Sequence, residues 1–208
     1  INSNILIRPG NKITTISGVK NIMAEAEVDE NFDSEFGVWD LSRFLGTISL
    51  FESPEFEFND KYMTISDGKG ASVKYFYCEP KLLTTVNKEI TMPDIVVTFS
   101  LTEKIFADVM RASSVLQLSD ICVRSAGDSI EMVALNKGDT TSNHYAQVVG
   151  QLDTPCEFEF YFKSENLKML PGNYNVSLTE SVVAKFENTN TDLRYWIALE
   201  SDSNYNGS

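Results

Sequence analysis

Histidine is almost missing from these 208 residues, cysteine is scarce, and basic side chains are heavily outnumbered. With one histidine, His144, any Ser-His or Cys-His nucleophile pair has to be built around that residue, and it lies in a polar run, 140–145, that carries no catalytic signature. The three cysteines, Cys78, Cys122 and Cys156, are odd in number and lack C-x-x-C spacing, which speaks against a disulfide framework and a zinc site. Their strand-like contexts read as small buried hydrophobes in a reducing cytoplasm. No stretch approaches the roughly 18 apolar residues of a membrane helix. Ile1-Asn2-Ser3-Asn4 has neither the basic nor the apolar run of a secretion signal. Missing too are G-x-x-x-x-G-K-[ST], G-x-G-x-x-G, G-x-S-x-G and H-E-x-x-H, so phosphate cradles, nucleophile elbows and zinc helices have no local support.

What is present is acid and alternation. Thirty acidic residues face 17 basic ones for a net charge of -13, in a chain that is 42% hydrophobic. That composition forms a core, and the length allows one large domain or two of about 100 residues. Short period-two runs recur from Ile5 to Leu199, separated by turn residues such as Pro9-Gly10, Asp67-Gly68, Gly127-Asp128, Gly138-Asp139 and Pro171-Gly172-Asn173. The expectation is antiparallel sheet. The carboxylate pairs Glu25/Glu27, Glu55/Glu57 and Glu157/Glu159 then sit at i and i+2 on solvated strand faces, in preference to a paired-carboxylate active site.

Three segments break the period. Asp40 to Phe51 carries a stripe of Leu41, Phe44, Leu45 and Ile48 behind a capping Asp40, and Thr102 to Val115 carries Ile105, Phe106, Val109 and Met110 behind Thr102, with Lys104, Asp108 and Arg111 on the other face. A third helix is expected over Ser164 to Leu170, ended by Pro171-Gly172. The class is therefore α+β. Alternation lapses over 80–94, an apolar interdomain connector, which divides a first domain, 1–79, from a second, 95–200. A C-terminal tail, 201–208, is expected to lack regular structure. Placing Phe36 on Phe158, an offset of 122, superposes a strand-helix-three-strand unit on a second copy of itself. The second copy also opens with a strand and a helix, so a helix is expected ahead of Ile1, and the absence of an initiator Met points the same way.

A duplicated, acidic, sheet-rich chain of this plan resembles the DNA sliding clamps, and more closely those of T-even-type bacteriophages. The resemblance is carried by Ile1-Asn2-Ser3, by Asp40-Leu41 with Phe44-Leu45-Gly46 and Ser49-Leu50, and above all by the ordered C-terminal series. That series is Met169-x-Pro171-Gly172-Asn173-Tyr174, then Val183-Ala184-Lys185-Phe186-Glu187, then Ala198-Leu199-Glu200-x-Asp202-Ser203. The region from Glu52 to Pro93 matches least. The resemblance implies a DNA-clamp fold: two duplicated domains of antiparallel sheet with helices on one face, assembling head to tail into a homotrimeric ring around double-stranded DNA. It implies a processivity factor, with neither catalysis nor cofactor. Such a protein tethers the viral DNA polymerase, is opened by an ATP-driven clamp loader complex, serves late transcription factors, touches no membrane, and works in the cytoplasm of the infected bacterial host.

Net acidity looks wrong for a protein that surrounds phosphates. Its distribution is more favourable: the three helical segments, with Lys163 immediately before the third, hold Arg43, Lys104, Arg111, Lys163 and Lys168 against Asp40, Glu103, Asp108 and Glu165, about +1, leaving roughly -14 elsewhere. The resemblance makes those five basic residues the DNA-facing candidates. It also carries a partner-peptide pocket onto Ile22, Val86, Ile90 and Leu199, whose plain reading is core packing. Two other readings stay open on the residues alone: a β-rich structural or adaptor protein of a virion, and an acidic carboxylate hydrolase.

Overall fold

Strands dominate because apolar and polar residues alternate along most of the chain. In the computed structural model, which describes residues 1–86, 91–92, 94–139, 141–180 and 182–207, they number sixteen. The chain divides into two compact units, Ile1–Lys20 with Glu25–Lys88, and Asn21–Ala24 with Glu89–Ser208.

The first unit runs β1 (Ile5–Ile7), β2 (Gly10–Ile16), β3 (Ile22–Phe32), β4 (Phe36–Val38), α1 (Leu41–Ile48), β5 (Glu55–Phe58), β6 (Tyr62–Ser66) and β7 (Ser72–Phe76). β1 pairs antiparallel with β4, and β5-β6-β7 form a three-stranded sheet. Registers Phe56↔Ile65, Phe58↔Met63, Ile65↔Val73 and Met63↔Tyr75 place these six side chains on one face. There Met63 and Ile65 join Ile7, Phe36, Val38 and Phe51 in the unit's core. A turn of 3₁₀ helix, Pro80–Leu82, follows, and Cys78 N–H donates to Gly37 O at 2.8 Å.

A side chain at position 37 has no room: a Cβ there would stand 2.8 Å from Leu83 Cδ1 and overlap the Cys78 carbonyl. Gly37→Ala is therefore expected to destabilise the protein by about 1–3 kcal/mol, read as a lower urea midpoint. An unchanged midpoint would show that residues 78–83 can move aside at little cost.

The second unit runs β8 (Ile95–Leu101), α2 (Glu103–Leu116), β9 (Asp120–Ala126), β10 (Ser129–Leu135), β11 (Tyr145–Gln151), β12 (Glu157–Lys163), β13 (Tyr174–Thr179), β14 (Val183–Asn188), β15 (Leu193–Ala198) and β16 (Asn204–Asn206). One sheet has the order β11-β10-β9-β12-β16. In the other, β15-β14-β13-β8 run antiparallel, with residues 21–24 along the free side of β15. Ala198 N–H donates to Asn21 O at 2.9 Å there. Alternate residues of both sheets fill one core: Val97, Phe99 and Leu101, then Phe158, Phe160 and Phe162, then Tyr174, Val176 and Leu178. α2 adds Phe106 and Val109.

Two expectations fail here. Ser164 to Leu170 is not a helix: only Ser164–Asn166 makes a 3₁₀ turn, because Leu167 is drawn into the core and the Asn166 amide is held by Asn21 Nδ2 at 3.0 Å. Seven residues before Pro171-Gly172 offer too few helical bonds to resist those contacts. Nor is the tail irregular. Asn204–Asn206 form β16 on the edge of β12, Tyr205 stacks on Phe160 with centroids 6.5 Å apart, and Tyr161 N–H donates to Ser203 Oγ at 2.9 Å.

Candidate functional site

Of the five basic candidates, Lys104 and Arg111 are brought together most closely, on α2. Thr102 caps this helix, its hydroxyl accepting from Ile105 N–H at 3.3 Å. With Phe106 and Val109 turned inward, positions 104, 108 and 111 form one outward stripe, as the i, i+4, i+7 spacing requires. Lys104 Nζ meets Asp108 Oδ2 at 2.6 Å and Arg111 meets Asp108 Oδ1 at 2.8 Å. The cations reach outward, 85% and 76% exposed, over a carboxylate that is 21% exposed. The hydrogen bond from Lys104 holds the Asp108 carboxyl below the usual carboxylate range, and the same bond pushes Lys104 up.

Arg43 stands in the other unit on α1. Asp40 caps that helix by accepting from Arg43 N–H at 2.9 Å and also lies 3.8 Å from the Arg43 guanidinium, which is 79% exposed. Lys163 is not on a helix. It ends β12 opposite Asp120, and its ammonium donates to Asp120 Oδ1 at 2.5 Å. Lys168 is also off any helix, exposed in the segment between the 3₁₀ turn and β13, with no ion pair to a described residue.

Asp120 is the residue that sequence reasoning missed. Buried at the start of β9, it accepts from Lys163, from Ser119 Oγ at 2.7 Å and from Lys137 N–H at 3.3 Å. Burial acts to raise its pKa, but those hydrogen bonds outweigh it and the carboxyl is held below the usual range. Nothing local in the sequence singles it out, since its ammonium partner lies 43 residues away.

Among the pocket candidates, Ile22 and Leu199 are buried in the second unit's core, and Val86 is half-buried in the first. Ile90 lies outside the described residues. A separate apolar cavity of about 540 Å³ lies within the first unit beneath α1, lined by Ile5, Ile13, Phe32, Phe36, Phe44 and Phe58 among others. α1 buries none of its residues fully.

Catalytic geometry does not emerge from the acidic pairs. Glu25 and Glu27 both face Lys12, at 3.7 and 3.6 Å, as solvated strand neighbours. Burial, followed by the nearby Glu159 carboxylate, pushes the Cys122 thiol up to about 12, which keeps it protonated and inert. Among the described residues no three His, Cys, Asp or Glu side chains converge as a metal site.

Comparison with known proteins fits these features. The family profile described as gp45 sliding clamp, C terminal, matches residues 98–201. The sliding clamp of Vibrio phage KVP40 is 30% identical over 206 residues, covering 97% of this chain and 92% of the relative. That of Enterobacteria phage T4 is 27% identical over 213 residues, covering 99% and 92%. Among solved structures, A. fulgidus PCNA bound to the C-terminal region of FEN-1 superposes with a TM-score of 0.67 at 13% identity, over 100% of this chain and 91% of that one. The Helicobacter pylori beta clamp bound to a DNA ligase peptide gives 0.68 at 10% identity, over 95% and 56%. At those identities the structural matches establish the fold, which is the DNA-clamp fold. Agreement with the phage proteins across nearly the full length goes further: the chain belongs to the family of phage sliding clamps, processivity factors that are not enzymes.

Proposed function

We propose that copies of this chain close head to tail into a homotrimeric ring around double-stranded DNA, without sequence preference, and hold the viral DNA polymerase on its template. An ATP-driven loader opens the ring, late transcription factors share it, and the site of action is the cytoplasm of the infected bacterium. Membership in the sliding-clamp family carries this reading. Binding of partner-protein peptides, of the kind bound by the PCNA and beta clamp named above, is assigned to Ile22, Val86, Ile90 and Leu199 by family resemblance. The DNA-facing set is Arg43, Lys104, Arg111, Lys163 and Lys168.

The internal repeat supports head-to-tail closure. At the offset of 122, β7 corresponds to β15 and the start of β11 to the start of β3, so Phe76 matches Ala198 and Asn143 matches Asn21. Ala198 and Asn21 share a main-chain hydrogen bond. β7 and β11 each end their sheets, leaving a side unpaired among the described residues. Joining β7 of one copy to β11 of the next repeats the same contact between chains, a heterologous interface that closes into a ring when the rotation allows. Phe76 is 66% exposed and Val148, on β11, 50%.

Phe76→Asp and Val148→Asp should each leave the subunit folded yet lower its assembly from three times the chain mass to one in native mass spectrometry, and abolish retention on circular DNA. Trimers of unaltered stability in both variants would remove β7 and β11 from the interface. A wild-type protein that stays monomeric at every concentration would sink the ring itself.

A further inference from the structure

We propose that Asp108 moderates the grip of the DNA-facing surface: shared by Lys104 and Arg111, its carboxylate competes with phosphate for both cations and keeps the ring mobile along the duplex. The inference rests on the reading of α2 as a helix that faces DNA.

Three observations carry it. Both Asp108 oxygens are engaged, each by a different basic candidate, so one acid serves two cations that stand seven residues apart on the helix. The acid is recessed and the cations protrude, so phosphate can reach Lys104 and Arg111 while Asp108 stays beneath them. Exposed pairs at i,i+3 and i,i+4 are weak, so phosphate can displace them without a large barrier. The arrangement also recurs: Asp40 lies beside Arg43 and Asp120 beside Lys163, so four of the five basic candidates have a carboxylate within 4 Å.

The physical consequence concerns motion more than affinity. A ring already encloses its DNA, so strong phosphate contacts add friction as the ring steps from one phosphate to the next. With Asp108 in place, a cation that leaves one phosphate returns to a carboxylate before meeting another. It is never left unpartnered, and the stripe presents a net charge of about +1 where the two cations alone would present +2.

The test compares the full chain with Asp108→Asn, Asp108→Glu and the double variant Lys104→Met/Arg111→Met. Binding to a short fluorescein-labelled duplex is followed by anisotropy across a salt series, and diffusion is followed on stretched DNA. Asp108→Asn should tighten binding roughly threefold to tenfold at low salt, steepen the salt dependence by up to about 0.9 per added phosphate contact, and slow diffusion by a similar factor. Asp108→Glu should behave as wild type, and the double variant should bind more weakly and diffuse faster. If the double variant weakens binding while Asp108→Asn leaves binding and diffusion unchanged, the moderating role is overturned and α2 remains the DNA-facing helix. If the double variant changes neither quantity, the DNA-facing assignment fails and the inference falls with it.

Discussion

Phe160→Ala is expected to destabilise the second unit by about 3–5 kcal/mol, the range for removing a large aromatic from a rigid core. Phe160 is fully buried at the middle of β12, stacked on Phe158 with centroids 5.3 Å apart and opposite Val123 of β9. The ring of Tyr205 of β16 also stacks on it. Truncation leaves a void between two sheets whose registers are set by main-chain ladders on both sides of β12, so the strand cannot sink inward to fill it. The same change removes the ring on which the C-terminal strand rests, so amide protons of 204–206 should exchange faster well below the global midpoint. Urea unfolding followed by the fluorescence of buried Trp196 checks the first effect and hydrogen exchange the second. A loss below about 1 kcal/mol would mean that the core repacks around the gap.

Asp120→Asn is expected to cost about 1–3 kcal/mol at neutral pH and to flatten the acid limb of the stability profile. The amide keeps the volume but gives up the charge that holds the Lys163 ammonium, and half of it presents N–H to a site arranged for an acceptor. Since the folded Asp120 pKa is depressed, its contribution is complete above the ordinary carboxylate value of about 3.9 and disappears as pH falls through the lower folded value. Lys163 is raised, chiefly by its hydrogen bond to Asp120, so its contribution is complete below the ordinary lysine value of about 10.4 and is lost as pH rises through the higher folded one. The Lys163 side chain is 42% exposed, so salt screens its share, and Lys163→Met should cost less than Asp120→Asn. Chemical denaturation between pH 2 and 7, a span of about the carboxylate titration range, decides the matter: wild type and Asp120→Asn losing stability in parallel on acidification would show that the acid response originates elsewhere.

The same pair bears on function. As a sequence feature Lys163 is a basic residue at the start of an expected helix, available to DNA. In the fold it is the last residue of a strand, hydrogen-bonded to a buried acid. Lys104 and Arg111 differ, because both their shared face and their shared acid lie within two turns of one helix and are legible from spacing alone.

Local relations settled what the sequence by itself determined. Alternation at i and i+2 defines the strands, the Asp40 and Thr102 caps and the 3.6-residue stripes define α1 and α2, and the repeat at 122 residues defines the duplicated order of strands, though not the helix of its second copy, since each depends on neighbours within a few residues or on comparison of one half with the other. Tertiary structure decided the rest. The third helix gave way to a 3₁₀ turn because Asn166 bonds to Asn21 from 145 residues away and Leu167 enters the core. The polar tail became β16 because β12 offered an open edge and Phe160 a ring for Tyr205. Lys163 acquired its acid from 43 residues upstream. Each outcome turns on a contact between distant segments, whose free energy exceeds the weak intrinsic preference of a short polar stretch and leaves no mark in any local window of sequence.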